Sequence, residues 1–381
     1  MSLGSKELFH SNFLEFLWDI NRSAFINMIN KLSGSASMNL NPQQYELKRE
    51  NKNFDICIYH KSNSKIIYDL VLENKVKSIP YKEQLQGYVK KVENNQNIKQ
   101  NKCSFLLLTL SDSFPDMQFV NNPWKIITYK ELSDEIKNFN SQIINSSQIT
   151  QYINDYCKFI DNLEPLKSKL LPSGINSNEV LFKGTDIDNL KTIRLHDLYI
   201  KLRSSWFLMT LKKHLEDYFN LFPIVVHKYV ANSGKGIYLN VDMFNATGQI
   251  AALIADGHGN TFEIVIQGDQ YRHGINQHGI GTNTGNKYQR LNELFERLNK
   301  FKKAQYFLNS FPQLSTSNGV QPQKNNNFRG SNKICKKGPF DCIGEDCIYR
   351  YIKVDKVPIK DLISEMANDI NTLYNNIPKL K

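Results

Sequence analysis

The chain lacks any long apolar run. Its longest, such as residues 105–108 and 250–255, are a handful of residues, where a helix crossing a bilayer needs about 20. No membrane partner is therefore expected. Residues 1–5 read as a short leader outside the fold, and Lys6, Glu7, His10 and Glu15 break the apolar stretch that a secretory signal needs. The six cysteines form no C-x-x-C pair, and Cys57 and Cys103 lie inside apolar runs. Their place in apolar runs points to reduced, buried thiols in a cytoplasmic protein. Cys335, Cys342 and Cys347 lie close in sequence but lack the paired spacing of a zinc knuckle. Ser233-Gly234-Lys235-Gly236 lacks the first glycine and the hydroxyl residue that complete a phosphate loop. There is no internal repeat. Acidic residues vanish from position 297 to 340, while Arg297, Lys303, Lys324, Arg329 and Lys337 all fall there. Such a stretch either follows phosphates or is a solvated tether.

At 381 residues the chain is long enough for two structural units. Its 48 Lys+Arg against 37 Asp+Glu give a formal charge of +11, which favours a polyanion as partner. Apolar positions recur at helical spacing over 6–32, ending at Ser33-Gly34-Ser35. Residues 45–49, 54–59 and 65–75 read as three strands. Pro80 opens a helix through about Val92, followed by strands at 103–110 and 124–128. Helices are expected at 131–138, 149–163 and 196–219, with a boundary at 167–178. Further strands fall at 236–243, 250–255 and 262–266, the last two joined through a glycine turn. Residues 313–333 read as a mobile loop, and a helix from about Pro358 closes the chain.

Asp55 and, eighteen positions later, Glu73-Asn74-Lys75 carry the chemistry. Side chains alternate along a strand, so Glu73 and Lys75 share a face that Leu72 and Asn74 do not. If Asp55 faces Glu73 across a hairpin, the midpoint is Ser64, the centre of the turn-like Ser62-Asn63-Ser64-Lys65. One hairpin then gathers two carboxylates and an ammonium. Hard oxygen ligands of this kind suit Mg²⁺, with Mn²⁺ able to substitute, and a neighbouring lysine can position a water. The motif follows the apolar run Leu70-Val71-Leu72, where a charge should not lie without use.

With those elements in order, residues 6–128 resemble the PD-(D/E)XK nuclease superfamily. Phe54-Asp55 matches the first acidic motif and Glu73-Asn74-Lys75 the acid-x-lysine motif. Gln84 to Tyr88 fits the Q-h-x-x-Y signature of an exonuclease-like branch, and Glu7 to Ser11 is similar to the E-x-x-H-S start of another. The resemblance implies an α/β, restriction-endonuclease-like core: helix, antiparallel three-strand meander, helix, strand, in a mixed central sheet. That domain would span 6–165, followed by an α+β region at 180–381 with a role in nucleic-acid recognition. It also implies Asp55 and Glu73 as metal ligands, joined by Glu7 and by the carbonyl of Asn74. Lys75 and Gln84 would complete the catalytic set, and Tyr88, Lys77 and His10 would contact nucleic acid. Asp69 is expected at the outer end of its strand, away from the site. The substrate implied is DNA, with RNA as the alternative, and a homodimer would suit cutting of both strands. A rival reading keeps the fold as a nucleic-acid-binding module without turnover, since no second acid is matched on the second strand.

Overall fold

Asn21 and Gly34 set the start of the chain. The sequence pattern predicts one helix over 6–32, but two form: α1 (Glu7–Ile20) and α2 (Arg22–Ser33). Asn21 takes an extended conformation (φ −155°), and its side chain accepts from the Ala24 amide, capping a new helix where the first one ends. Gly34 then terminates α2 with φ at 68°, the left-handed region that glycine adopts without strain. The structure, a computed structural model, describes residues 7–35, 37–76, 80–96, 103–110, 122–142, 147–183, 187–221, 223–226, 235–244, 247–257, 261–276, 341–343 and 347–376. The acid-free stretch at 297–340 and the loop at 313–333 lie outside them, as does Lys77.

Two compact units result, the first made of Met1–Leu171 and Asn189–Leu202, the second of Pro172–Asp188 and Arg203–Lys381. In the first, β1 (Tyr45–Asn51), β2 (Phe54–Ser62) and β3 (Lys65–Lys75) precede α3 (Lys82–Gln96), β4 (Ser104–Thr109) and β5 (Trp124–Thr128). The sheet order is β1-β2-β3-β4-β5. Pairing is antiparallel from β1 to β3 and parallel from β3 to β5, the mixed sheet expected when a helix carries the chain across. Pro80 lies just outside α3, which begins two residues later at Lys82.

Helix α3 covers one face of this sheet, its Leu85, Tyr88 and Val92 packing with Cys57, Tyr59, Tyr68, Val71, Phe105, Leu107 and Trp124. The other face meets α1 and α2. Next come α4 (Tyr129–Ser141), α5 (Ser147–Asp161) and α6 (Leu163–Leu170), with α4 against α2 and α5. Thr128 caps α4 in a box with Glu131, so the helix starts two residues before the 131 expected from the sequence.

The second unit is an α+β layer pair. Short α7 (Ile187–Thr192) and long α8 (His196–Phe219) each contribute to both units. Then come β6 (Ile224–Val226), β7 (Lys235–Phe244), β8 (Thr247–Asp256), β9 (Thr261–Gln267), β10 (Gln270–Asn276), β11 (Asp341–Ile343), β12 (Cys347–Lys353) and α9 (Ile359–Asn376). They form one sheet, β11-β12-β10-β9-β8-β7-β6. Helix α9 packs on β8 and β9, burying Leu362, Ile363, Met366, Ile370 and Leu373. Tyr271 and His273 on β10 both bond Asp369 Oδ2 of α9, at 2.6 and 2.7 Å. Gly274 and several charges interrupt the apolar alternation of β10 and β12.

Candidate active site

The hairpin of β2 and β3 decides where the acids lie. Its turn is the two residues Asn63 and Ser64, with φ at 49° and 63°, the doubly left-handed geometry that matches strand twist. Pairing starts at Ser62↔Lys65 and shifts by one residue between Ile58 and Tyr59, so Ile56 faces Leu72. The bulge leaves Asp69 out of the ladder, and its carboxylate bonds His60 Nδ1 at 2.7 Å. Strand parity is broken there: Tyr68 and Val71, three residues apart, both join the core under α3. Asp69 thus stands apart from the acids it shares odd numbering with.

One step beyond Ile56↔Leu72 the backbone ladder stops and side chains take over. Asp55 Oδ2 accepts from the Asn74 amide at 2.7 Å. Lys75 Nζ lies 2.7 Å from Glu73 Oε1. The same oxygen accepts from Gln84 Nε2 at 3.0 Å, and Gln84 also reaches the Tyr88 hydroxyl at 2.8 Å. Asp55, Glu73, Lys75, Gln84 and Tyr88 are therefore gathered beneath α3. Glu7, at the start of α1, lies close enough for its charge to act on Asp55, Glu73 and Lys75.

Burial dominates the electrostatics. Glu73 is 1 % exposed and Lys75 9 %. Desolvation lifts the Asp55 carboxyl to about 6, against the Asn74 amide and the Lys75 charge, with Glu7 and Glu50 adding to the lift. Glu73 is raised to about 7 by burial, opposed by Lys75 and reinforced by Asp55 and Glu7. Burial alone would pull the Lys75 ammonium down, but Glu73, Glu7 and Asp55 outweigh it and the net is upward. Lys75 stays protonated. Glu73 Oε1 carries two donors, while buried Oε2 has no hydrogen-bond partner.

That orphan oxygen tests whether a cation fits. A buried carboxylate oxygen without a donor costs free energy, which an ion would offset. Among the described residues no three His, Cys, Asp or Glu side chains form a ready metal cage. Two carboxylates suit a hard cation such as Mg²⁺, which is held by one or two carboxylates and keeps much of its hydration. The donor set fits.

Sequence reasoning missed the support beneath the site. Asn74 turns away from Glu73 and is 1 % exposed. Its Nδ2 donates to the Glu7 carbonyl at 2.9 Å, and its Oδ1 accepts from the Tyr129 hydroxyl at 2.6 Å. One amide therefore ties α1, β3 and α4 together. The signal available was its position inside the acid-x-lysine motif, on the strand face opposite the acids.

Two expected nucleic-acid contacts are corrected. His10 is 0 % exposed, its Nδ1 is 2.9 Å from the Tyr156 hydroxyl, and its ring meets Tyr129 at 4.9 Å. It has no surface to offer a phosphate and instead anchors α1. Tyr88 is likewise buried, its ring against Phe54 and Trp124.

The meander and the crossover helix define a restriction-endonuclease-like fold, with the paired carboxylates and the lysine at its central hairpin. Residues 1–158 match the family model of the PD-(D/E)XK nuclease superfamily, so this first part of the chain is similar to that superfamily. Neither a curated protein nor a solved structure matches the chain.

Proposed function

We propose that the first unit is a Mg²⁺-dependent nuclease that hydrolyses phosphodiester bonds of DNA. The observation carrying this reading is the half-filled Glu73 carboxylate: Oε1 held by Lys75 and Gln84, Oε2 buried without a donor beside Asp55. Asp55 and Glu73 would hold the cation, with Glu7 at its margin. When bound, Mg²⁺ polarises the phosphate and makes its water more acidic. The remaining work falls to this chain. Gln84 and Lys75 fix the Glu73 rotamer by sharing one oxygen, so the other is kept for the ion. Lys75 is an ammonium near neutral pH, so it donates hydrogen bonds and offsets charge building on the phosphate oxygens. It does not take the proton from the attacking water. Asn74 holds Asp55 through its amide and α1 through its side chain, which sets the distance of Glu7 from the pair.

The test is purified protein with Mg²⁺ or Mn²⁺ on plasmid DNA, linear DNA and RNA, beside Asp55→Ala and Lys75→Ala. Metal-dependent cleavage of DNA lost in both variants is the expected result. Cleavage surviving in both would place the activity elsewhere or in a contaminant.

A further inference from the structure

Exposed lysines at the α3 side of the first unit rest on aromatic rings. Lys91 Nζ lies 5.2 Å from the centre of the Tyr88 ring and donates to the Lys52 carbonyl at 3.3 Å. Lys52 Nζ stands 5.7 Å over Tyr68. Gln84, Tyr88 and Lys91 follow one another at four- and three-residue spacing, so they share one face of α3. The contacts run from the site outward: Glu73 to Gln84, Gln84 to Tyr88, Tyr88 to Lys91, Lys91 to Lys52.

The turn that carries Lys52 is held in an uncommon shape. Glu50, Lys52 and Asn53 have φ of 51°, 54° and 70°, a region that residues with a Cβ enter at some cost. This turn leads directly into Phe54-Asp55, and the Lys91 hydrogen bond ties it to α3. Glu50, near the end of β1, lies close enough for its charge to act on Asp55. Among the described residues no carboxylate lies within ion-pair distance of Lys91. An ammonium seated on a ring gains only about 0.5–1 kcal/mol when exposed, less than it gains against a phosphate. The ring keeps the charge in place.

We propose that Lys91 and Lys52 form a phosphate track that receives the sugar–phosphate backbone of the substrate beside the cleavage site. Lys91 lies seven residues along α3 from Gln84, about 10 Å at ~1.5 Å per residue. At ~3.4 Å per nucleotide of strand, the contacted phosphate is about three nucleotides from the cleaved bond. Lysines bind phosphates as point charges, so this track adds affinity and register without reading bases. The inference rests on the nuclease reading and adds to it where the polymer lies.

Full-length Glu73→Gln protein is titrated in EDTA against fluorescein-labelled single-stranded DNA, duplex DNA and RNA, by anisotropy across a salt series. Lys52→Ala or Lys91→Ala added to it weakens binding about 3- to 10-fold at moderate salt, and lowers the log–log salt slope by about 0.7–0.9, one phosphate's worth. Lys91→Arg restores both. Lys130→Ala, on α4 away from α3, changes neither. Unchanged affinity and slope in both alanine variants would overturn the track, and with metal-dependent cleavage intact the nuclease reading would stand. A Glu73→Gln parent that binds no polymer at low salt overturns the track as well. If cleavage also persists in Asp55→Ala, the nuclease reading falls with it.

Discussion

Asp55→Asn should make the metal-free protein more stable at pH 8. Asparagine keeps the acceptor that takes the Asn74 amide at 2.7 Å and removes the charge. In the folded protein the Asp55 carboxyl titrates at about 6, against an ordinary 3.8, with burial the main cause. Because the folded value is the higher one, the stability linked to this group is fully present below about pH 4 and is lost as pH rises through about 6. At pH 8 the wild type bears the whole penalty of a desolvated carboxylate. The difference corresponds to about 3 kcal/mol at ~1.4 kcal/mol per tenfold in proton affinity. Solvent at the partly open side of the group brings this to about 1–2 kcal/mol. For a unit of this size that is a rise in Tm of about 2–8 °C. Thermal unfolding in EDTA at pH 8 and pH 4 measures it: the gain should appear at pH 8 and shrink toward zero at pH 4. The order should then reverse with Mn²⁺ at pH 8, which stabilises wild type by mass action and leaves Asp55→Asn unmoved. A fall in Tm for Asp55→Asn at pH 8 without metal would refute the reasoning.

Four other outcomes follow from the same geometry. Lys75→Met should lower the cleavage rate by about 10²- to 10⁴-fold, and isothermal calorimetry should still register Mn²⁺ binding to the variant. Tyr129→Phe leaves buried Asn74 Oδ1 without its donor, at about 1–3 kcal/mol, so urea unfolding should shift to lower concentration and Mn²⁺ affinity should weaken as α1 loosens. Stabilisation by Mn²⁺ should grow between pH 5.5 and 8, because Asp55 and Glu73, lifted to about 6 and about 7, must lose protons to bind it; calorimetry in two buffers of different ionisation heat counts the protons released. Asn21→Ala removes the α2 cap at about 1 kcal/mol, seen as a lower Tm with metal binding unchanged.

How much of this was legible beforehand follows from range. Signals within one element survive in the sequence. The limits of β3, β5 and α8 could be read off because each apolar stretch is bounded at its ends by polar or turn residues. The pairing of Asp55 with Glu73 could be read from hairpin arithmetic alone. The turn is centred half a residue from Ser64, and the bulge at Asp69 shifts the ladder so that Ile56 faces Leu72, one step before these two acids. The break at Asn21 was hidden because one cap outweighs the apolar periodicity that continues through it. His10 and Tyr88 were misplaced because sequence spacing gives the face of a helix but not what covers it.

What the sequence determined by itself was the kind of chemistry. Two acids and a lysine at strand spacing, on a run too apolar to hold idle charges, require a buried polar site whatever surrounds it. Only the tertiary structure decided which oxygen of Glu73 is filled, that Asn74 ties three elements together, and which lysines stand beside the site. Those depend on contacts between residues up to 67 positions apart, and a hydrogen bond or a desolvation cost exists only once the chain has brought both partners together.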